Sequence, residues 1–235
     1  MDETLEQLKQ AGIHYLKSKN GIILEIIEER VEQVSEMDRQ IDKLLSEPER
    51  GFIVLECPKS ILSQLTSTKE KMQVVGERVI YTKDLSDTVL DSVPTYEVWS
   101  PTEAKSVSFL AEVMNKSINE TEKFLATMRA ELPLQMNNMF TVLIMNHDPV
   151  GVVFPHIEPN TVNQGRIFWI GIHPKFIGRG LGKGLHRIGL YRLQHDFKAV
   201  SYLGATKIDN EPMRKILSSN GCTEKTAVIS LESVM

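Results

Sequence analysis

The feature that most constrains this 235-residue chain is a run of glycines at every second position. Gly178, Gly180, Gly182 and Gly184 follow the strand pattern RIFWIGI and precede the helix pattern LHRIGLYRL. A flexible linker would carry serines and no flanking pattern. Glycines between a strand and a helix let main-chain N–H groups converge on a phosphate, which the helix N-terminus also attracts. We therefore interpret the run as a phosphate or pyrophosphate cradle.

The charge of the chain is unevenly divided. Residues 1–150 carry 16 Lys and Arg against 25 Asp and Glu, a net charge of −9, and residues 151–235 carry 11 against 6, a net charge of +5. The glycine run lies in the basic part, beside Lys175, Arg179 and Lys183. This distribution suits a compact polyanionic ligand. Nucleic acid is not expected, because no Lys/Arg tract alternates with aromatic residues.

The composition is that of a globular protein, with 41% hydrophobic and 25% charged residues. No apolar run approaches the length of a membrane span. The first ten residues are acidic and polar and do not resemble a secretory signal. Cys57 and Cys222 give neither a disulfide framework nor a zinc pattern, and His186 and His195 lack the spacing of metal ligands. We therefore expect a cytoplasmic protein without a metal or a membrane anchor.

Residues 1–90 predict a helix-rich α/β region of unknown role. Apolar residues at steps of three and four predict a long helix over residues 22–46. Its apolar stripe favours a core-facing surface, with a coiled-coil dimer as the alternative. The other predicted elements are a helix over 3–17, a strand over 51–57, a helix over 59–75 and a strand over 78–85.

Residues 91–235 predict a second domain after a linker over residues 86–95. Capping patterns at Ser100 and Ser117 predict two helices between residues 101 and 132. A turn over 146–149 predicts a hairpin. Strands are predicted at 96–99, 140–145, 150–156, 166–172, 200–203 and 226–231, and further helices at 181–195 and 211–219. This order of elements is typical of a mixed α/β fold.

Two common phosphate-binding patterns do not fit the glycine run. A P-loop ending at Gly182-Lys183 would have Ile177 in place of its first glycine and Gly184 in place of its hydroxyl residue. The dinucleotide pattern G-x-G-x-x-G fails in every register, because Lys183 or Leu185 occupies its third glycine position.

A third pattern fits. Residues 177–182, IGRGLG, resemble the Gln/Arg-x-x-Gly-x-Gly/Ala loop of the GNAT family of N-acetyltransferases. Ile172-His173-Pro174 resembles the hydrophobic-x-Pro segment that precedes that loop. Downstream, Asn210 and Asn220-Gly221-Cys222 resemble the start and end of the family's next helix. The close resemblance covers residues 166–222, and the order of elements extends it to residues 96–235.

The resemblance implies an acyl-CoA N-acyltransferase fold and acetyl-CoA as the cosubstrate. It implies that main chain from Gly178 to Lys183 holds the pyrophosphate, that residues 170–172 pair with the pantetheine arm, and that Asn210 contacts this arm. The implied cofactor-binding residues are Ile170, Gly171, Ile172, Ile177, Gly178, Arg179, Gly180, Leu181, Gly182, Lys183 and Asn210.

The chain departs from the family at three positions. Ile177 stands where Gln or Arg is usual, although its main chain can still donate. Leu217 stands where many members have a tyrosine that protonates the leaving thiolate, and Cys222 replaces an aromatic residue. The usual general acid is therefore missing from its position.

Amine acetylation needs a group that accepts a proton from the ammonium. His156 and Glu158 are candidates at the end of a predicted strand, and a strand-end histidine or a solvated turn carboxylate are the structural alternatives. His173, which packing before a proline would also explain, is a further candidate. Ser218 could donate through water, or simply cap its helix. Tyr191 and Tyr202 are candidate acids only if the fold brings them to the site. Phe168 and Trp169 are neighbours on one strand, so we expect them to point to opposite faces, one toward the core and the other toward the core or the acceptor.

The sequence thus predicts an acetyl-CoA-dependent N-acetyltransferase that acts on a primary amine, in a small molecule or a peptide, by direct transfer in a ternary complex. The alternative is a catalytically weak acetyl-CoA-binding sensor or interaction module. A homodimer is possible, and the acceptor stays open.

Overall fold

The computed structural model describes residues 2–17, 21–28, 32–47, 51–86 and 92–234. The chain divides into two compact units. Unit 1 consists of Met1–Ile80, Ala205–Asn210 and Glu224–Met235, and unit 2 consists of Tyr81–Gly204 and Glu211–Thr223. The sequence boundary near residue 90 falls within residues 87–91, which lie outside the described residues, as does much of the expected linker. The division into 1–90 and 91–235 therefore stays a prediction.

Unit 1 contains a sheet with helices that bury one of its faces. Its helices are α1 (Asp2–Gln10), α2 (Val34–Ser46), α3 (Lys59–Leu62) and α4 (Thr66–Glu70). Its strands are β1 (His14–Lys17), β2 (Gly21–Glu25), β3 (Phe52–Pro58), the first part of β4 (Met72–Asp84), the end of β9 (Ser201–Lys207) and most of β10 (Thr223–Ser233).

The strands of unit 1 pair in the order β1-β2-β3-β10-β4. β1 and β2 are antiparallel, β2 and β3 are parallel, and β3 and β10 are antiparallel. Alternate residues of β3, such as Ile53 and Leu55, enter a core that also holds Leu8, Met37 and Ile41 from α1 and α2. Each of these side chains is fully buried.

Three helix predictions in unit 1 are wrong in extent. The helix over 3–17 ends at Gln10, and β1 follows. Among the described residues of the helix predicted over 22–46, only Val34–Ser46 are helical, because the apolar run from Gly21 is β2. A short apolar run does not distinguish a strand from a helix, and here pairing with β1 and β3 decides. The helix over 59–75 is replaced by α3, α4 and the start of β4, whereas the strand over 51–57 is confirmed.

Unit 2 contains an antiparallel meander followed by a parallel pair. Its helices are α5 (Ala104–Met114), α6 (Ile118–Glu131), α7 (Met136–Met139), α8 (Leu181–His195) and α9 (Glu211–Ser219). Its other strands are β5 (Tyr96–Val98), β6 (Thr141–Met145), β7 (Asp148–Ile157) and β8 (Gln164–Ile172). The order is β9-β8-β7-β6-β5, antiparallel from β5 to β8 and parallel between β8 and β9.

Two apolar clusters lie on the sheet of unit 2. One contains side chains of α5 and α6 with Phe140, Val152 and Phe154. The other contains Leu185 and Ile188 of α8 with side chains of β6 and β7. The predicted mixed α/β fold is confirmed, and among the described residues no helix is both long and apolar enough to cross a membrane.

Most local predictions in unit 2 are confirmed. The helices over 181–195 and 211–219 have the predicted bounds. Asn146 and His147 adopt positive φ in the hairpin turn. The capping box at Ser117 is present, with Glu120 as its partner. The capping prediction at Ser100 is wrong, because α5 begins only at Ala104 and its N-cap, Glu103, makes no side-chain cap hydrogen bond.

Candidate functional site

The glycine loop connects β8 to the start of α8 through a single 3-10 turn, Pro174–Phe176. Gly178 and Gly180 have φ of 83° and 73°, and an added Cβ at either would meet no atom within 4 Å. Both glycines are needed for their backbone conformation rather than for internal packing. The open space beside them leaves the loop main chain approachable. Gly180 is also the N-cap of α8, and as a glycine it offers no side chain to accept from the first-turn N–H groups.

The other two glycines of the run have a different cause. A Cβ at Gly182 would lie 2.6 Å from Cδ1 of Ile216 on α9, and one at Gly184 would lie 3.1 Å from Cγ of Pro94. These positions are small because neighbouring side chains pack against the first turn of α8. The regular spacing of the four glycines therefore combines two conformational and two packing requirements.

Three cations surround the loop. Lys175, Arg179 and Lys183 are all exposed, and none forms an ion pair in the part of the chain that the structure describes. The Arg179 guanidinium lies 5.1 Å from the ring centre of Phe176. Exposed cations at a helix N-terminus are suited to binding an anion.

The strand that leads into the loop diverges from its parallel neighbour. β8 pairs with β9 at Gln164 with Ser201 and at Gly165 with Tyr202. This pairing does not continue along the rest of β8, all of which is described. The β9-facing edge of residues 167–172 is therefore without a paired strand, and an extended ligand could hydrogen-bond there.

A β-bulge interrupts β8 beside residues 170–172, which the resemblance predicts to pair with the pantetheine arm. Val153 pairs with Ile170 and Pro155 with Ile167, so Phe168 and Trp169 together oppose the single residue Phe154. The expectation that Phe168 and Trp169 point to opposite faces is wrong. Both rings contact the ring of Phe124 on α6, at centroid distances of 5.7 and 6.3 Å. A bulge leaves one residue out of the ladder, and so frees main-chain groups at this point.

The bulge was missed although the sequence contains a signal for it. Proline inside a strand is confined to edges and irregularities, because it cannot donate to the ladder. Pro155 interrupts the predicted strand, and the register of β7 and β8 shifts between Val153 and Pro155.

His156 and Glu158 come together in a buried polar cluster. His156 is 4% exposed, and its Nε2 lies 3.3 Å from Oε2 of Glu158. Nε of Arg166 lies 3.4 Å from the same carboxylate oxygen. The Nδ1 atom of His156 is buried without a hydrogen-bond partner, and its ring centre is 6.0 Å from that of Phe168. The imidazole therefore has one nitrogen oriented by a carboxylate and one available to another group.

The pKa of Glu131, at the end of α6, is affected by the charges of the same cluster. Burial raises the pKa of Glu131, and the negative charge of Glu158 raises it further, against a smaller lowering by His156. The end of α6 is held close to this cluster because both amide atoms of Gln135 hydrogen-bond the main chain of Ile157, at 2.7 and 2.8 Å.

The other predicted site residues lie elsewhere. Ser218 is exposed on the last turn of α9, and Asn210 is exposed just before α9, in the part of the chain that belongs to unit 1. His173 is buried, stacks on Phe109 and lies 2.9 Å from Glu112, which explains it structurally. Residues 170–172 of β8 are partly exposed.

Leu217, which stands where the family resemblance predicts an acid, and Tyr202 are both buried. Leu217 is 1% exposed and packs in the interior. The Tyr202 hydroxyl is buried and lies 3.2 Å from Nε2 of His186, and burial raises the pKa of this tyrosine. Tyr191 stacks on His195, with ring centres 4.1 Å apart.

A side-chain network connects α8 to the end of α9, and no sequence signal indicated it. The Asn220 amide donates to the carbonyl of Lys183 at 3.0 Å and to Nδ1 of His186 at 2.9 Å. Because Nδ1 accepts, the neutral imidazole carries its proton on Nε2, next to Tyr202. Burial, followed by the positive charge of Lys83, lowers the pKa of His186 to about 3. The network fixes the first turn of α8, where the loop ends.

Comparison with known proteins identifies the fold. No protein-family model and no curated protein matches this chain. A tandem GNAT protein from the clavulanic acid biosynthesis pathway is 12% identical, with a TM-score of 0.62, over 91% of this chain and 75% of that chain. A GCN5-related N-acetyltransferase from Kribbella flavida is 11% identical, with a TM-score of 0.57, over 100% of this chain and 94% of that chain. Another from Sphaerobacter thermophilus is 14% identical, with a TM-score of 0.57, over 94% and 75%.

These similarities define a class of protein, the mixed α/β proteins with an acyl-CoA N-acyltransferase fold. More particularly, the chain has the fold of the GNAT N-acetyltransferases, as its glycine loop predicted. Identities of 11 to 14% establish the shared fold and no finer property.

Proposed function

We propose that this protein is an acetyl-CoA-dependent N-acetyltransferase that transfers an acetyl group directly to a primary amine in a ternary complex. The observation that carries the proposal is the exposed glycine loop at the N-terminus of α8, directly after a strand that diverges from its parallel neighbour. Loop, helix start and open strand edge together suit a ligand with a phosphate group at one end and an amide-containing arm.

Each part of the proposed cosubstrate has a matching part of the chain. Main-chain N–H groups from Ile177 to Lys183 would hold the pyrophosphate, assisted by the Arg179 side chain. The open edge of residues 170–172 would hydrogen-bond the pantetheine amides as a neighbouring strand does. Asn210 is proposed as a further contact to the arm, on the family resemblance alone. Acetyl-CoA would supply the activated acyl group.

The chain would contribute positioning, proton transfer and charge stabilisation. His156 is proposed as the general base, with Nδ1 receiving the proton of the acceptor ammonium directly or through water. Glu158 would hold the imidazole by its other nitrogen and stabilise the imidazolium. A main-chain N–H freed at the Phe168–Trp169 bulge is the proposed donor to the oxyanion. Ser218, which is exposed on α9, is kept as a weaker candidate for a water-mediated donor.

The alternative function is an acetyl-CoA-binding sensor or interaction module with weak catalysis. Leu217 favours it, because a buried leucine occupies the usual position of the acid and Tyr202 is sequestered by His186. The enzyme is preferred because the thiolate of CoA can leave without an acid, and because His156 keeps a free nitrogen. The proposed acceptors are small-molecule or peptide amines. A cytoplasmic location and a homodimer remain expectations.

Two substitutions at one position test the cradle. Gly180→Ala and Gly180→Trp share the same backbone strain at positive φ, but only tryptophan fills the open space beside the loop. By calorimetric titration, we expect Gly180→Trp to weaken acetyl-CoA binding by about 100-fold or more, and Gly180→Ala by less than about tenfold. Equal losses in the two variants would assign the effect to strain rather than occlusion. Unchanged binding in Gly180→Trp would exclude the loop as the site.

The proposed base is tested by thiol release against a panel of amines. We expect His156→Gln to lower kcat by about 100-fold with little change in the KM for acetyl-CoA. Glu158→Gln should have a smaller effect of the same kind, because Glu158 only orients the imidazole. His173→Gln is the control, since this buried histidine is already paired with Glu112. Turnover by His156→Gln that matches wild type from pH 6 to 9 would contradict the assignment.

A further inference from the structure

Unit 1 contains a cavity of its own, lined by residues from three separate strands. Its volume is about 290 Å³, just below the usual range of about 300 to 1,000 Å³ for small-molecule pockets. It is formed by the start of β4, by the end of β9 with the following turn, and by one residue of β10. The lining residues are Val75, Gly76, Glu77, Arg78, Lys207, Ile208, Asp209 and Ser230.

A buried carboxylate contacts two of the residues that line this cavity. Glu56 of β3 is 6% exposed, and its Oε1 accepts a hydrogen bond from Oγ of Ser230 at 3.2 Å and lies 3.1 Å from Nη1 of Arg78. Two lining residues are therefore positioned by one buried group. A guanidinium has five N–H donors, so contact with Glu56 through Nη1 leaves others for a ligand.

The main chain holds the walls of the cavity together. The N–H of Ile208 donates to the carbonyl of Glu77 at 3.1 Å, which joins the turn after β9 to β4. A Cβ at Gly76 would meet no atom within 4 Å, so this residue faces open space. The protein's own hydrogen bonds thus fix the walls of the cavity, and such preorganisation lowers the cost of binding.

The lining of the cavity contains two positive and two negative side chains, and most of them form no ion pair with a described residue. Arg78 and Lys207 are positive, and Glu77 and Asp209 are negative. Within the described residues, Lys207, Glu77 and Asp209 form no ion pair. Val75 and Ile208 are 48% and 39% exposed and add aliphatic surface. A ligand that carries an anion and a cation close together, with an apolar group beside them, would match both signs of charge and the aliphatic surface within this small volume.

We propose that this cavity binds a free α-amino acid with an aliphatic side chain. Arg78 and Lys207 receive the α-carboxylate, and Arg78 can do so with two parallel N–H groups. Glu77 and Asp209 receive the α-ammonium, while Val75 and Ile208 contact the side chain. The site is distinct from the glycine loop, and its occupation does not depend on acetyl transfer.

The test is calorimetric titration of the full chain with L-leucine, L-valine and L-alanine, with no acetyl-CoA present. Leucine is compared with 4-methylpentanoate, which lacks the ammonium, and with 3-methylbutylamine, which lacks the carboxylate. We expect at least one amino acid to bind with a Kd below about 1 mM, and both analogues of leucine to bind at least about tenfold more weakly than leucine. No binding of any of the three amino acids at about 10 mM would overturn the proposal, as would analogues that bind as well as leucine.

Substitutions in the lining test whether the amino acid binds in this cavity. Gly76→Trp fills the cavity without a clash at Cβ, and we expect it to abolish amino-acid binding. Val74→Trp is the matched control, because Val74 is 61% exposed and does not line the cavity. Asp209→Asn and Lys207→Met remove one charge each and should weaken binding by about tenfold. Wild-type affinity in Gly76→Trp would place the amino acid elsewhere. Because no step uses acetyl-CoA, a failure here and a failure of the proposed function are separate results.

Discussion

Unit 2 forms its candidate site largely from main chain, whereas unit 1 forms its cavity from charged side chains. The loop after β8 needs only glycines at the correct positions and a helix start, and such a pattern is contiguous in sequence. The cavity needs Arg78, Lys207 and Ser230, which are far apart in the chain and meet only through strand pairing. A main-chain site can therefore be recognised from sequence, and a side-chain site of this kind cannot.

The two units also differ in how they hold a buried titratable side chain. In unit 2, burial and Lys83 lower the pKa of His186, so its neutral form is the stable one. In unit 1, burial alone would raise the pKa of Asp38, but hydrogen bonds from Ser67, Thr68 and Thr66 together outweigh it, and the pKa is lowered. The charged form is the stable one there. Acid should therefore affect the two units at different pH.

The largest expected effect concerns His186. Its pKa is about 3 in the folded protein and 6.5 in the unfolded chain. Between these pH values the unfolded chain binds a proton that the folded protein does not. The contribution of His186 to the free energy of unfolding is therefore fully present above pH 6.5 and is lost as the pH decreases. The loss is about 1.4 kcal/mol per pH unit, or about 3 kcal/mol at pH 4. Chemical denaturation of wild type and His186→Gln at pH 7 and pH 4 measures it.

The control for this prediction is Tyr202→Phe, which removes the hydroxyl but leaves His186 buried. It should keep the dependence on pH, because burial is the main cause of the shift. Hydrogen exchange should locate the loss of protection below pH 6.5 in α8 rather than in α2. A His186→Gln variant with the pH dependence of wild type would show that this group does not couple acid to unfolding.

The helices and strands of unit 2 were predicted from the sequence more accurately than those of unit 1. In unit 2, most elements connect to sequence neighbours through antiparallel turns, and periodicity with turn residues sufficed, as at Asn146 and His147. In unit 1, β2 pairs in parallel with β3 across the whole of α2, and β3 pairs with β10 from the other end of the chain. Such distant pairing decided that the apolar run from Gly21 is a strand. Sequence spacing contains no information on these partners.

The candidate site was predicted only where the signal was local. The glycine loop between a strand and a helix followed from the sequence, which also named His156 and Glu158 as candidates, while their contact is a finding of the structure. The Asn220–His186 contact and the anchoring of Arg78 by Glu56 did not, because each joins residues that only the tertiary fold brings together. The regular spacing also concealed a difference, since Gly182 is small because of Ile216 and not because of its φ.

The next effect tests the buried carboxylate of unit 1. Asp38 is 6% exposed and accepts hydrogen bonds from the N–H groups of Ser67 and Thr68 at 3.0 and 2.9 Å. Asp38→Ala leaves these donors without their acceptor, and we expect it to destabilise the protein by about 2 kcal/mol. Asp42→Ala, which removes an ion pair to Lys71 at a partly exposed site, should cost less than about 1 kcal/mol. Denaturation at pH 7 compares the two.

The pH dependence of Asp38 sharpens the comparison. Because its folded pKa is below the unfolded value of 3.8, its contribution is complete above that value and is lost as the pH falls through the folded pKa. The contribution of Asp38 should therefore still be present at pH 4, a pH at which protonation of His186 in the unfolded chain has already lowered the stability of unit 2. A loss of the difference between wild type and Asp38→Ala already at pH 5 would contradict this order.

The smallest effect concerns two serines that the same sequence pattern marked as helix caps. The Ser117 hydroxyl accepts from the N–H of Glu120 at 3.3 Å, and the Glu120 carboxylate accepts from the N–H of Ser117 at 3.0 Å. We expect Ser117→Ala to cost about 1 kcal/mol. Ser100→Ala should cost less than about 0.5 kcal/mol, since α5 begins four residues later, at Ala104. Equal costs by denaturation would mean that Ser100 also stabilises a helix start, and that the pattern Ser-x-x-Glu is sufficient by itself. Unequal costs would show that the pattern acts only where the chain can place its first helical turn directly after the serine.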